Sequence, residues 1–340
     1  MFVHGTTHND IRFLRIVLRK PENKDKVTLD YQENEGDVLD DFYVRRNHFV
    51  SMRIKRLKEK IPKLSCSDYH EVDMINWTKA GGLHHFMKTY TPGPKVLEIG
   101  GGLGGLCRTM ADEYKSEPIG VEYSQVNVDL GNEISRELEM PEFLQWGDAS
   151  VPMNFENMDA VVAFSVISQV PRTGHEMFMK NTFNALKPGG VALFEDPCFF
   201  CTPEEVPEVK SEAFDINAHM KLVFTKEEFL KLCTDSGLEI VEQTDVSEEN
   251  ALGIWNKSEV EYLKVLEELG DQIDEIDTEF NRRFGMFQPK IFADLQAYPS
   301  SELRERFPRV CKYTDPDVFV HGTTHNDIRF LRIVLKKPEN

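Results

Sequence analysis

Between residues 95 and 196 short apolar runs alternate with amphipathic stretches. KVLEIGGG (95–102), PIGVEYS (118–124), EFLQWGD (142–148), MDAVVAFSVI (158–167) and GVALFED (190–196) each end at a polar or glycine-rich break. Buried parallel strands have this texture. Between them LCRTMADEY (106–114), VDLGNEISRELE (128–139) and HEMFMKNTFNALKPGG (175–190) carry apolar residues at helical spacing, the last expected to close at Pro188 and the two glycines after it. Strand and helix in regular alternation predict an α/β domain with a mostly parallel sheet. Farther on, Thr225 and Glu228 form a capping box that opens the helix FTKEEFLKLCTDSG, Gly237 terminates it, and LEIVEQTDVS follows as a strand.

The flanks read differently. Residues 24 to about 90 are charged and helix-patterned, with RIKRLKEKI (53–61) basic and DYHEVDMINWTKAGGLHHF (68–86) richer in aromatics. Residues 256–285 are acidic, and Leu263, Leu266, Leu269, Ile273, Ile276 and Phe280 recur every three or four positions, which predicts one amphipathic helix with Ser258 as its cap. The closing IRFLRIVL (328–335) has the β-branched and aromatic content of a strand.

That closing stretch occurs twice. FVHGTTHNDIRFLRIVLRKPEN at 2–23 recurs at 319–340 with one change, Arg19 to Lys336. One sheet needs one such strand, so residues 24–340 read as a single repeat unit preceded by the tail of another, as in a tandem array. Exchange of the strand between protomers is the second reading.

Composition narrows the classes. The 340 residues are 40% apolar, enough for a full core, and no run approaches the ~18 apolar residues of a membrane span. With 58 acidic against 40 basic residues the formal charge is -18, which would repel a phosphate backbone, so neither nucleic acid nor membrane is an expected partner. The six cysteines show no framework spacing, as in a reducing compartment, and a cytoplasmic location is expected. Cys198 and Cys201 have metal spacing, but a structural zinc would need a second pair. His4 and His8, with their copies His321 and His325, sit in a loop-like Gly-Thr-Thr context, so no metal is expected.

The chemistry concentrates in Glu98-Ile-Gly100-Gly-Gly102-Leu-Gly104-Gly105, between a predicted strand and a predicted helix. Glycines let the backbone turn sharply and approach a ligand closely, and the helix start offers free N–H groups. A nucleotide is the natural ligand, yet Gly100, Gly102 and Gly105 also satisfy a dinucleotide fingerprint. Glu98 suits an ammonium and would repel a pyrophosphate. Glu122, at the end of the second strand, can accept from both ribose hydroxyls under either reading, and Tyr123 offers a face to adenine. Asp148, in Gly147-Asp148-Ala149, can accept from an adenine amino group.

With these motifs in order, the stretch from about Lys95 to Ser247 resembles the class I S-adenosylmethionine-dependent methyltransferases. The resemblance rests on the E-x-G-x-G-x-G loop, Glu122, the Gly-Asp-Ala at 147–149 and LKPGG (186–190). It implies a Rossmann-like seven-stranded, mostly parallel sheet whose antiparallel last strand slots between the fifth and sixth. IRFLRIVL at 328–335 is the candidate for that strand. The resemblance further implies that Glu98, Gly100, Gly102 and Gly104 hold the methionine part of S-adenosylmethionine, Glu122 the ribose, and Asp148 with Ala149 the adenine. Phe164 and Ser165 would lie nearest the methyl group. FTKEEFLKLCTDSGLEIVEQTDVS is similar to the matching stretch of small-molecule N-methyltransferases acting on glycine, sarcosine or phosphoethanolamine.

The expected organisation is a duplicated tail (1–23), an N-terminal helical lid segment (24–92), the cofactor-binding core (93–255), a helical insertion or cover (256–317) and the closing strand (318–340). Methyl transfer from a sulfonium is an in-line displacement that chiefly needs alignment and exclusion of water. The expected substrate is a small molecule, cationic or an amine, and other methyltransferase units are the expected neighbours in a tandem array. An O-methyltransferase, a non-catalytic S-adenosylmethionine-binding protein and a nucleotide-dependent dehydrogenase are the alternatives. The strand ends offer Gln169, His175 and Asp196 as candidate catalytic groups, with Ser168 and Glu195 beside them. Tyr69, Trp77, His84 and Phe199 are candidates for the substrate side or lid.

Overall fold

A computed structural model describes residues 82–200, 224–247 and 328–339 continuously, together with 47, 50, 51, 54, 55, 58, 59, 61, 63–69, 305 and 308. The duplicated tail, Trp77 and the acidic stretch 256–285 lie outside the described residues. The elements are α1 (Cys66–Tyr69), α2 (Gly82–Tyr90), β1 (Lys95–Ile99), α3 (Gly105–Tyr114), β2 (Glu117–Glu122), α4 (Gln125–Glu137) and β3 (Leu144–Trp146). After them come β4 (Met158–Phe164), α5 (His175–Ala185), β5 (Leu186–Phe199), α6 (Lys226–Asp235), β6 (Glu239–Asp245) and β7 (Ile328–Lys336).

The seven strands form one sheet in the order β3-β2-β1-β4-β5-β7-β6. Strands β1 to β5 are parallel, and β7 enters antiparallel to both β5 and β6. IRFLRIVL is therefore the inserted strand, with Leu193 opposite Val334 and Glu195 opposite Arg332 on one side and Glu242 opposite Val334 on the other. The order reverses between β1 and β4, and open α/β sheets bind ligands at the strand ends beside such a reversal.

Both faces are covered, which is why the central strands are apolar throughout rather than alternating. On one face Val96, Ala160, Val162, Leu193 and Val334 meet Leu83, Phe86 and Met87 of α2 and Leu106 and Met110 of α3. On the other, Leu97, Val161, Ala163, Phe194 and Ile333 meet Phe178 and Met179 of α5 and Phe229 and Cys233 of α6. The N-terminal segment adds a third layer: Val50, Ile54 and Tyr69 pack against Leu103 and against Ile134 of α4. Lys58 and Tyr69 both reach Glu137 at the far end of α4, each at 2.5 Å. Burial disfavours the Glu137 charge, but these bonds hold its carboxyl below the usual carboxylate range.

Two local expectations meet different outcomes. The capping box at α6 is present, Thr225 Oγ1 accepting from Glu228 N at 3.2 Å and Glu228 Oε2 accepting from Thr225 N at 2.7 Å. The helix expected to run to Pro188 instead ends at Ala185, and Leu186 already pairs with Met158 as the start of β5. Proline disfavours helical backbone at the residue before it, and Lys187 is in addition drawn to Asp159 of β4.

Candidate active site

The glycine loop leaves β1 and crosses the end of β2. Gly100 N and Gly101 N donate to the Val121 carbonyl at 2.8 and 3.0 Å, and Gly104 N to Gly101 O at 2.7 Å. Gly100, Gly102 and Gly104 all have positive φ, and a Cβ on Gly100 would collide with Val166. Only glycine supplies this backbone without strain. Arg108 of α3, fully buried, ties the loop down by donating from Nη1 to Leu103 O at 2.7 Å and to Gly131 O of α4 at 3.3 Å.

Two carboxylates flank the loop. Glu98 is 1% exposed and accepts from the Cys107 thiol at 3.0 Å. Burial pushes its carboxyl up to about 8; the Cys107 bond opposes the rise and the nearby Glu122 charge adds to it. Burial likewise pushes the Cys107 thiol well up. Glu122, at the end of β2, accepts from Gly102 N at 2.8 Å through Oε2, and from Ser124 N at 3.0 Å and Asn127 Nδ2 at 3.2 Å through Oε1. Tyr123, beside it, is 39% exposed. Asp148 accepts from Ser150 N and Ser150 Oγ, both at 2.7 Å, and Ala149 O accepts from Asn181 Nδ2 at 2.9 Å.

Across the reversal, β4 ends at Phe164, and Ser165 follows it. Ser165 holds a left-handed backbone (φ 54°), and its amide donates to Glu195 O at 2.7 Å. Its Oγ is buried and unpartnered. A strained residue with an unsatisfied hydroxyl is what a ligand-facing position looks like.

The three candidate catalytic groups all hold the short turn after β4. Gln169 Nε2 donates to Ser165 O at 2.7 Å, and His175 Nε2 meets Val170 O at 2.8 Å. Asp196, wholly buried, accepts from Val166 N, Ile167 N and Ser168 N at 3.2, 3.3 and 3.1 Å. Burial lifts the Asp196 carboxyl to about 6 against those bonds, and burial lowers His175.

The candidate lid residues scatter. Tyr69 bonds α4 through Glu137. His84 Nδ1 meets Tyr114 Oη at 2.5 Å, at the end of α3 remote from the glycine loop. Phe199 is buried at the end of β5, its amide donating to Phe224 O at 2.9 Å. Glu195 pairs with Arg332 Nε at 2.6 Å, both almost fully buried, under the first residue of α2, where a Cβ on Gly82 would collide with it.

Cys107, Arg108 and Asn127 are neighbours of the loop and its acids that carry no motif in the sequence. Asn127 was still within reach: a polar residue in the first turn after a strand-end acid faces that acid. For Cys107 and Arg108 helical position alone gave no sign of burial against the loop.

The donor set fits S-adenosylmethionine: an acid for a diol at Glu122, a buried acid for a cation at Glu98, and a glycine cradle between them. A family model described as a methyltransferase domain matches residues 48–243, more than half of the chain. A sarcosine/dimethylglycine N-methyltransferase of Aphanothece halophytica is 24% identical over 199 residues, covering 58% of this chain and 68% of that protein. Among solved structures, a putative sarcosine dimethylglycine methyltransferase from Galdieria sulphuraria superposes with a TM-score of 0.54 at 12% identity, over 79% of this chain and 88% of the other. Haemonchus contortus phosphoethanolamine N-methyltransferase 2 gives 0.50 at 15% identity, over 81% of this chain and 60% of its own. The glycine loop, its two acids and the inserted antiparallel strand thus have their explanation: the chain belongs to the methyltransferase-domain family, as a class I S-adenosylmethionine-dependent enzyme.

Proposed function

We propose that the protein methylates an amine nitrogen of a small molecule. The supporting observation is that the histidine at the turn after β4 is not available as a base: the ring of His175 is committed to the Val170 carbonyl, and the neighbouring carboxyls Glu195 and Asp196 are held by Arg332 and by the amides of Val166, Ile167 and Ser168. A hydroxyl acceptor more often needs a histidine base, whereas an amine presented as the free base needs chiefly alignment with the methyl group. The sarcosine and phosphoethanolamine N-methyltransferases among the relatives point the same way.

S-adenosylmethionine, when bound, supplies a methyl group activated by its sulfonium. In this reading Glu98 and the loop Gly100 to Gly104 hold the amino-acid end, Glu122 the ribose, and Tyr123, Asp148 and Ala149 the adenine. Phe164 and Ser165 border the reacting side and exclude water. Gln169, His175 and Asp196 serve by fixing the turn 166–170, so that Ser165 stays in its strained conformation. Of the described candidates for the substrate side, Phe199 stands at the end of β5 beyond Asp196, whereas Tyr69 and His84 are bonded to Glu137 and Tyr114 away from it.

Incubation with methyl-labelled S-adenosylmethionine and a panel of primary, secondary and tertiary amines, beside phenols and alcohols, tests the proposal. Label appearing on a nitrogen supports it. Label appearing on oxygen alone overturns the amine assignment.

A further inference from the structure

Asn47 stands on the N-terminal segment, 80 residues before the side chain it touches. Its Nδ2 donates to Asn127 Oδ1 at 3.0 Å and to the Val126 carbonyl at 3.3 Å. Asn127 carries the line onward, its own Nδ2 donating to Glu122 Oε1 at 3.2 Å, and the other oxygen of Glu122 accepts from Gly102 N at 2.8 Å. One chain of hydrogen bonds therefore joins the N-terminal segment, the start of α4, the end of β2 and the glycine loop. Every side chain in it is buried: Asn47 is 7% exposed, Asn127 0% and Glu122 6%.

Asn47 is an odd choice for packing. Its Oδ1 is buried without a partner, and Val50 and Ile54, on the same segment, belong to an apolar cluster. A buried acceptor left unsatisfied costs stability, so the amide is kept for the bonds its NH2 makes. What the amide alone contributes is direction. With its oxygen engaged by Asn47, the Asn127 amide must present its NH2 to Glu122. Turned over, it would set a carbonyl against a carboxylate.

We infer that Asn47 is a positioning residue for the cofactor ribose. It sets the orientation of Asn127, which in turn holds the Glu122 carboxylate where it accepts the ribose hydroxyls. Docking of the N-terminal segment is thereby part of building the cofactor site. The inference rests on the assignment of Glu122 to the ribose made under the proposed function.

The test is calorimetric titration of the full chain with S-adenosylhomocysteine and with its 2′-deoxy analogue, in wild type, Asn47→Leu and Glu122→Gln, beside thermal unfolding. Asn47→Leu leaves the buried Asn127 Oδ1 without its donor, so it is expected to melt earlier than wild type, to bind S-adenosylhomocysteine about tenfold more weakly, and to lose most of the preference for it over the deoxy analogue. Should leucine prove too bulky to fold, Asn47→Ala carries the same binding expectation. If Glu122→Gln loses affinity and preference while the Asn47 variants keep both, or merely melt earlier with the preference intact, the positioning role is refuted. If Glu122→Gln itself leaves affinity and preference unchanged, the ribose assignment is what fails.

Discussion

In the proposed reading Glu98 ties proton release to cofactor binding, and the coupling has a definite size. With its carboxyl lifted to about 8 by burial, the group is about nine-tenths protonated at pH 7. A ligand ammonium held against it favours the charged form, so binding must release close to 0.9 proton at pH 7 and about 0.1 at pH 9. Relative to Glu98→Gln, affinity for S-adenosylmethionine should accordingly rise about ninefold from pH 6 to 7, about fivefold from 7 to 8, and little above. Titrations at one pH in buffers of different ionisation enthalpy count the released protons. Subtracting the same count for Glu98→Gln removes what the ligand's own amino group contributes. The protein without ligand should show the mirror effect. A carboxyl raised from its ordinary value to about 8 keeps its proton in the folded state while the unfolded chain loses it. Stability therefore falls as pH rises from about 4.5 to 8, and less steeply in Glu98→Gln. An equal proton count in wild type and variant would refute the reasoning.

Three further outcomes follow from the packing. Gly100→Ala forces a Cβ into Val166 at positive φ, and should cost about 1–3 kcal/mol in urea unfolding and weaken S-adenosylhomocysteine binding. Arg332→Met strands the Glu195 carboxylate in the core, and a loss of about 3–5 kcal/mol is expected at pH 7. Adding Glu195→Leu should recover much of that loss, which a double-mutant cycle reads directly. Deletion of residues 2–23 should leave melting temperature and S-adenosylhomocysteine affinity unchanged, because β7 already fills the one place in the sheet for this strand; a drop in either would favour exchange of the strand between chains.

Most strands were legible as short apolar runs closed by a polar or glycine-rich break, and IRFLRIVL by its β-branched and aromatic content; its place in the sheet is what the family resemblance implied. The turn of the glycine loop and the place of Glu122 at a strand end were legible for a similar reason, since both are set by local backbone and spacing. Asp196 and His175 were not. Each stands at a strand end or helix start as a reactive group would, and only the fold reveals that backbone groups of the 166–170 turn occupy them. Asn47 left no trace at all, because a bond to a residue 80 positions away produces no periodicity.

The place of β7 also sets a timetable. On a ribosome β5 and β6 are complete well before β7, with the 82 residues between Asp245 and Ile328 still to be added. At about 5–20 residues per second, that leaves the gap in the sheet open for about 4–16 s. Through all of it the nascent chain already carries a second IRFLRIVL at residues 11–18, identical to the eight letters the gap is waiting for. Over the span of β7 the two copies differ at one residue, its last, Lys336 against Arg19.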